Sequence, residues 1–417
     1  MSEIIIEGGA VIGGEIGVQG AKNSVLPVLA ATVLATDQCV VHNCPDISDV
    51  ETSLKILATL GCRCFKDGND VVVDPKEINE NYIPDELMRE MRSSVVFLGA
   101  ILARTGEAII SSPGGCELGP RPIDLHISAL KQLGAEVKEE HGYLHFTAPK
   151  GLFGAEINLS FPSVGATENI ILAAATTKGT TVIHNAAKEP EISDLADFLN
   201  SAGARIYGCG SDTVVIHGVE KITSAEHTII PDRIVAATYM AAAAVTKGDI
   251  ILKNVMPSHL VSVISVFKEC GCRVEPVGRT IKFWSPKKLL RVPTVRTLVH
   301  PGFPTDAGPV IISMLAKCNG TSVFVENIFE NRFRYIDELK RLGAKIKTEG
   351  RVAVIEGVNK LWGANCECTD LRGGAALAVA ALSAEGKTVL SKTHHIKRGY
   401  ENFTENFKVL GANIQEE

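Results

Sequence analysis

A short phrase recurs six times along the chain of 417 residues: LATLGCRC, LKQLGAEV, LNSAGARI, FKECGCRV, LKRLGAKI and FKVLGANI. Its glycines are Gly61, Gly134, Gly203, Gly271, Gly343 and Gly411, so successive copies lie 73, 69, 68, 72 and 68 residues apart. Each phrase reads as the end of a helix, a glycine, and the start of a strand. Glycine just past a helix end accepts the left-handed conformation that stops the helix and turns the chain. In the first copy Val50, Leu54, Leu57 and Gly61 follow helical spacing, which predicts one apolar face on the helix before the turn.

A second phrase keeps the same interval. An alanine-rich run, a turn and a β-branched strand appear in AATTKGTTVIHN from Ala174, AAVTKGDIILKN from Ala243 and AALSAEGKTVLSKT from Ala380. Runs such as Met240–Val245 are apolar on every face, which predicts helices buried on all sides. An open solenoid is one way to stack six such units, but repeats of this length with fully buried helices favour closed bodies. The expected fold class is therefore α/β: two inside-out α/β domains, each of three repeated units with helices inside and sheets outside.

Charge and composition narrow the function. The net charge is −6, with 42 basic against 48 acidic residues, which leaves no basic field for a nucleic-acid partner. A few convergent Arg and Lys can still hold a small anion. The opening MSEIIIEGGAVIGG carries acidic residues and a very short apolar run, unlike a signal peptide. The apolar run Ala236–Val245 meets Thr246-Lys247-Gly248 well short of the roughly 20 residues a membrane span needs. A cytoplasmic protein with no membrane partner is expected. Among the cysteines, C-x-C pairs occur at Cys62/Cys64, Cys270/Cys272 and Cys366/Cys368. Zinc sites use wider spacing and further ligands, so these pairs predict burial as small apolar residues, and no metal is expected.

Several segments break the repeat and read as chemistry. Lys22 in GAKNSVLP stands where a helix opens; a cation there costs about 0.3–1 kcal/mol unless it faces an anion, the alternative being a solvated lysine. Arg92, Arg121, Arg372 and Arg398 flank small or glycine-rich segments, and Arg121 is held between Pro120 and Pro122. Guanidinium groups suit phosphate and carboxylate, with a structural ion pair as the alternative at each position. Cys116 follows Gly114-Gly115 in a loop running to Gly119, placing a thiol where it is either reactive or an inert loop residue. Asp306, after Phe303-Pro304-Thr305, fits either a general base or a helix N-cap.

Together with MRSS at Met91, SSPGGCELGPRPIDLH at Ser111, FPSVGATEN at Phe161, PGFPTDAG at Pro301, ENRF at Glu330, DLRGGAAL at Asp370 and HHIKRGYE at His394, these segments resemble the enolpyruvyl transferase superfamily. Within it they are similar to the UDP-N-acetylglucosamine enolpyruvyl transferases, over the whole span from Gly20 to Tyr400. The Pro-Gly-Gly-Cys loop and Thr305-Asp306 are the discriminating pieces. The resemblance implies one domain over 22–229 and another formed by 1–21 with 230–417, with the active site in the cleft between them. It implies transfer of the enolpyruvyl group of phosphoenolpyruvate to the 3-hydroxyl of the sugar, releasing phosphate, in peptidoglycan precursor synthesis, with no cofactor. Cys116 would be the general acid at the methylene carbon and the target of the epoxide fosfomycin; Asp306 would be the general base. Lys22, Arg121 and Arg398 would hold the phosphate, Arg372 the carboxylate side, and Asn23 would touch phosphoenolpyruvate and the sugar. Arg92, Arg121, Pro122, Ile123, Asp124, Leu125, Ser163, Val164, Gly165, Asp306 and Ile328 would contact UDP-N-acetylglucosamine. Two positions depart from the family pattern: Ser48, where a lysine is usual, and Gly308-Pro309, where amides are usual. The rivals are a shikimate-pathway enolpyruvyl transferase, whose family lacks the Pro-Gly-Gly-Cys loop, and a non-catalytic UDP-sugar-binding regulatory paralogue. The presence of Lys22, Cys116, Asp306 and Arg398 argues against the latter.

Overall fold

The computed structural model describes residues 2–111 and 123–417. All six repeat glycines take positive φ, between 90° and 103°, each just past a helix. The turn is the same each time. In the first, Gly61 N–H donates to Ala58 O (3.1 Å) and Cys62 N–H to Leu57 O (2.9 Å); in the last, Gly411 N–H donates to Lys408 O and Ala412 N–H to Phe407 O, each 2.9 Å. These paired bonds satisfy the last carbonyls of the helix, and only glycine adopts the required conformation without strain.

The chain forms two compact units. One holds the described residues from Gly20 to Ile230; the other joins the N-terminal segment through Gln19 to Pro231–Glu417. Each has its own apolar core. The core of each unit is built on three helices that are buried almost throughout: Lys22–Ala31, Phe97–Thr105 and Val164–Ala174 in one, Arg233–Thr246, Gly308–Leu315 and Leu371–Leu382 in the other. Every residue from Ile234 to Thr246 is buried, as an all-apolar helix requires. Small residues let these helices approach closely. A Cβ on Gly99 would stand 2.3 Å from Asn169 O, and the Gly99 N–H donates to Asn169 Oδ1 at 2.6 Å.

The sheets repeat as well. Cys39–His42, Arg63–Asp67 and Asp70–Asp74 form an antiparallel trio with the third strand in the middle, and Glu226–Thr228 pairs parallel with the first. The third repeat (Thr180–His184, Arg205–Tyr207, Thr213–His217) takes its parallel edge strand, Glu156–Asn158, from the segment that follows the second. In the second repeat the three-stranded sheet of Glu107–Ser111, Glu136–Glu140 and Tyr143–Thr147 meets the end of the first through a parallel bridge between Tyr82 and Ile109. Each repeat is thus joined by the end of the preceding one, the last supplies the first, and the three close into a ring. The other unit closes by the same rule across the chain termini. Ile4–Glu7 is the middle strand between Lys387–Ser391 and Asn413–Glu416, and Gly13–Gly17 pairs parallel with Asp249–Lys253. An asparagine in left-handed conformation secures several of these edges. Asn43, Asn185 and Asn254 (φ 58°, 55° and 53°) donate through Nδ2 to Ile229 O, Leu159 O and Val18 O, each at 2.8 Å.

The C-x-C cysteines are buried except Cys64, which is half-buried. Burial pushes the thiols of Cys62, Cys272 and Cys368 up to about 12, which leaves them protonated and unreactive. Among the described residues no helix is long and apolar enough to cross a membrane.

Candidate functional site

Five of the residues singled out above, Lys22, Arg92, Ser163, Asp306 and Arg372, lie at equivalent places: at or just before the N-terminal ends of five of the six central helices. Lys22 opens the first, which has no side-chain cap. Its ammonium lies 2.8 Å from Asp49 Oδ2, and both side chains are buried. Lys22 thus faces a carboxylate of its own unit, in the first turn of helix Ser48–Thr59. Sequence reading missed Asp49, because an acid in a first helical turn reads as a solvated dipole partner. Asn23 is exposed beside Lys22. Arg92, half-buried, starts the 3-10 turn Arg92–Val96 that leads into the second central helix.

Ser163 caps the third, its Oγ accepting from Ala166 N–H at 3.3 Å, with Val164 and Gly165 half-buried. Gly165 leaves room for the His126 ring, whose Cε1 would lie 3.2 Å from a Cβ there. His126 Nδ1 is 3.0 Å from Asn169 Nδ2 and therefore accepts. Burial lowers this imidazole to about 4, against a smaller raising effect of Asp124. The structure so brings Ser163–Gly165 together with the segment of Ile123 (buried), Asp124 (exposed) and Leu125 (half-buried) at the start of helix Asp124–Gln132. Cys116, Arg121 and Pro122 lie outside the described residues.

In the other unit Asp306 sits on the 3-10 turn Thr305–Ala307 before helix Gly308–Leu315. It does not cap that helix. Its Oδ1 accepts from Arg332 Nη2 at 2.8 Å, and its Oδ2 from Arg372 Nε and Nη2 at 3.3 and 3.2 Å. Both arginine side chains are 3% exposed, whereas that of Asp306 is 27% exposed, so the carboxylate forms the accessible tip of a buried cationic pair. Burial, the largest single effect, would push the Arg372 guanidinium down, but Asp306, Tyr400 and Asp232 together outweigh it and the group stays above its ordinary value. Arg332 Nε and Arg372 Nη1 are buried without a hydrogen-bond partner among the described residues. Arg372 belongs to a helix capped by Asp370, which accepts from the Arg372 and Gly373 N–H groups at 3.0 and 2.9 Å. Arg398, half-buried, ends the short helix His394–Lys397.

Arg332 was legible only as part of ENRF. Glu326 was missed altogether. Buried, it accepts from Thr305 Oγ1 and the Ile328 N–H at 2.8 Å each, and from Thr297 Oγ1 at 2.9 Å, tying the Asp306 turn to half-buried Ile328. Gly308 has a packing reason: a Cβ there would meet the Phe324 ring at 2.9 Å. Pro309 suits a first helical turn.

Residues 6–407 match the EPSP synthase (3-phosphoshikimate 1-carboxyvinyltransferase) family. UDP-N-acetylglucosamine 1-carboxyvinyltransferase 2 of Caldanaerobacter subterraneus subsp. tengcongensis is 51% identical over 414 residues, covering 99% of each chain. UDP-N-acetylglucosamine 1-carboxyvinyltransferase 1 of Symbiobacterium thermophilum is 46% identical, over 98% of this chain and 94% of its own length. Among solved structures, the enolpyruvyl transferase NikO from Streptomyces tendae aligns with a TM-score of 0.90 at 25% identity, covering 100% of this chain and 98% of that one. An EPSP synthase from Acinetobacter baumannii shares the fold, with a TM-score of 0.75 at 19% identity over 100% of this chain and 99% of that one.

Proposed function

We propose, for a chain that belongs to the EPSP synthase family, that it transfers the enolpyruvyl group of phosphoenolpyruvate to the 3-hydroxyl of UDP-N-acetylglucosamine and releases phosphate. The observation that carries this reading is the 51% identity, across 99% of both chains, to a UDP-N-acetylglucosamine 1-carboxyvinyltransferase. The product feeds peptidoglycan precursor synthesis, and the enzyme works in the cytoplasm.

Asp306 takes the proton of the sugar hydroxyl, the oxygen attacks the central carbon of phosphoenolpyruvate, and Cys116 delivers a proton to the methylene carbon. Loss of phosphate, with a proton from the new methyl group, restores the double bond. Lys22, Arg121 and Arg398 hold the phosphate. Arg372 faces the carboxylate, a role supported by its Nη1 beside Asp306, which has no hydrogen-bond partner among the described residues. Asn23, Arg92, Ile123–Leu125, Ser163–Gly165 and Ile328 receive the acceptor nucleotide, with Arg121 and Pro122. These cationic groups stabilise negative charge throughout, and preorganised electrostatics of this kind carries the largest share of the barrier reduction.

The test is phosphate release with each candidate acceptor. UDP-N-acetylglucosamine supports turnover and shikimate 3-phosphate does not; comparable turnover with shikimate 3-phosphate overturns the assignment. Cys116→Ala lowers kcat by about 10²-fold or more. Cys116→Asp retains turnover with an optimum at lower pH and resists alkylation by an epoxide, because a carboxylic acid of ordinary value about 3.9 replaces a thiol of about 8.5.

A further inference from the structure

The turn that carries Arg398 is held from an unexpected quarter. Gly399 packs so closely on Leu371 that a Cβ would stand 2.8 Å from its Cδ2. Tyr400 is buried, with its hydroxyl 2.9 Å from Thr238 Oγ1 and the Arg372 guanidinium 5.7 Å from its ring centre. The third grip comes from the N-terminal segment. Gln19 Nε2 donates to Gly399 O at 3.2 Å, and Gln19 Oε1 accepts from Glu401 N–H at 2.8 Å. One side-chain amide therefore satisfies a carbonyl and an N–H two residues apart, as a neighbouring strand would. The pairing fixes which end of the amide is which, since a flipped amide would oppose two donors and two acceptors.

The base of this side chain is itself pinned. Val18 N–H donates to Lys253 O at 2.9 Å, and Gln19 O accepts from Asp232 N–H at 2.9 Å. Gln19 thus transmits a fixed backbone position to the turn immediately after Arg398, and it stands three residues before Lys22.

We propose that Gln19 is a positioning residue for Arg398: its amide sets the Gly399–Glu401 backbone and so the placement of the guanidinium that meets the phosphate of phosphoenolpyruvate. The inference rests on the phosphate-binding role proposed for Arg398. It makes Gln19 matter for phosphoenolpyruvate and not for the acceptor nucleotide.

Gln19→Glu has the same shape but loses the donor, and its ionised carboxylate opposes Gly399 O. Once protonated, the acid donates to Gly399 O and accepts from Glu401 N–H, restoring both bonds. The charged groups on the segments that hold the new acid are Arg398 and Glu401 in the turn, Asp232, whose N–H meets Gln19 O, and Arg372, which lies over the Tyr400 ring. The experiment measures KM for each substrate in wild type, Gln19→Glu, Gln19→Ala and Arg398→Ala, at pH 7.5 and stepwise down to about 5, with thermal unfolding alongside. The expected result is a phosphoenolpyruvate KM raised about 10-fold in both Gln19 variants at pH 7.5. The UDP-N-acetylglucosamine KM stays within about twofold. On lowering the pH, Gln19→Glu alone returns toward wild type. Unchanged phosphoenolpyruvate KM in the Gln19 variants, with a large rise in Arg398→Ala, overturns the positioning role and leaves the function standing. Equal changes in both KM values with a lowered melting temperature also overturn it, by showing a merely structural contact. No change in Arg398→Ala removes the phosphate role and this inference with it.

Discussion

The two units solve the same folding problem and then treat their helix starts differently. In the Gly20–Ile230 unit the three central helices open with Lys22, Arg92 and Ser163, and no carboxylate caps any of them. In the other unit Asp232 and Asp370 cap two of the three through paired backbone bonds, and Asp306 precedes the third. An uncapped helix start with a cation offers an anion both a dipole and a charge. A start already satisfied by a carboxylate offers neither, but it fixes the residues beside it. The difference lies in what stands at the starts: cations at two of the three in one unit, and in the other a carboxylate at each, one of them held by two arginines.

The ion pairs at the two kinds of start differ in the same sense. Among the described residues Lys22 pairs with Asp49, one cation to one carboxylate, whereas Asp306 pairs with Arg332 and Arg372, two cations to one carboxylate. Removing the shared anion is the most disruptive change. Asp306→Ala is expected to lower kcat by about 10²–10⁴-fold and to cost about 3 kcal/mol by leaving Arg332 and Arg372 facing each other. Phosphate release and denaturant unfolding measure the two effects. Combining it with Arg332→Met is expected to recover stability but not turnover, and recovery of both would show that Asp306 serves only as a counter-ion.

Asp49→Ala tests the one-to-one pair. It leaves Lys22 buried without its carboxylate and is expected to cost about 3 kcal/mol, most of which returns when Lys22→Met is added. A loss below about 1 kcal/mol would show that water or a further partner takes over from Asp49.

Acid sensitivity should also divide the units. The buried His126 imidazole titrates near 4 when folded and near 6.5 when unfolded. Above pH 6.5 both states are neutral and the stability is intact. As pH falls from 6.5 toward 4 the unfolded chain takes up a proton that the folded chain refuses, so stability declines by roughly 3 kcal/mol in all. His126→Gln is expected to flatten that part of the profile, measured as the difference from wild type in urea midpoints across pH.

The smallest effect tests the likeness of the units instead of their difference. Asn43→Ala and Asn254→Ala each remove one edge-strand bond and force alanine into a left-handed conformation, for a loss of about 1–2 kcal/mol apiece. Equal losses in urea unfolding would confirm that the two rings close alike; a loss at one site alone would separate them.

What the sequence determined by itself was everything governed by neighbours along the chain. The spacing of Gly61, Gly134 and their counterparts marked six helix ends, and the uniform apolarity of Met240–Val245 marked a helix buried on all sides. The motif residues were legible because each stands at a break in that repeat. Contacts between distant segments left no such trace. Nothing local to Ile4–Glu7 signals that it lies between Lys387–Ser391 and Asn413–Glu416, because a short apolar run pairs with any edge that matches its register. Asp49 reads as a surface acid until the fold sets it against Lys22, and Arg332 as a surface base until it reaches Asp306. Only tertiary structure decides such pairs, because a buried charge is tolerable solely where a partner from elsewhere in the chain arrives to meet it.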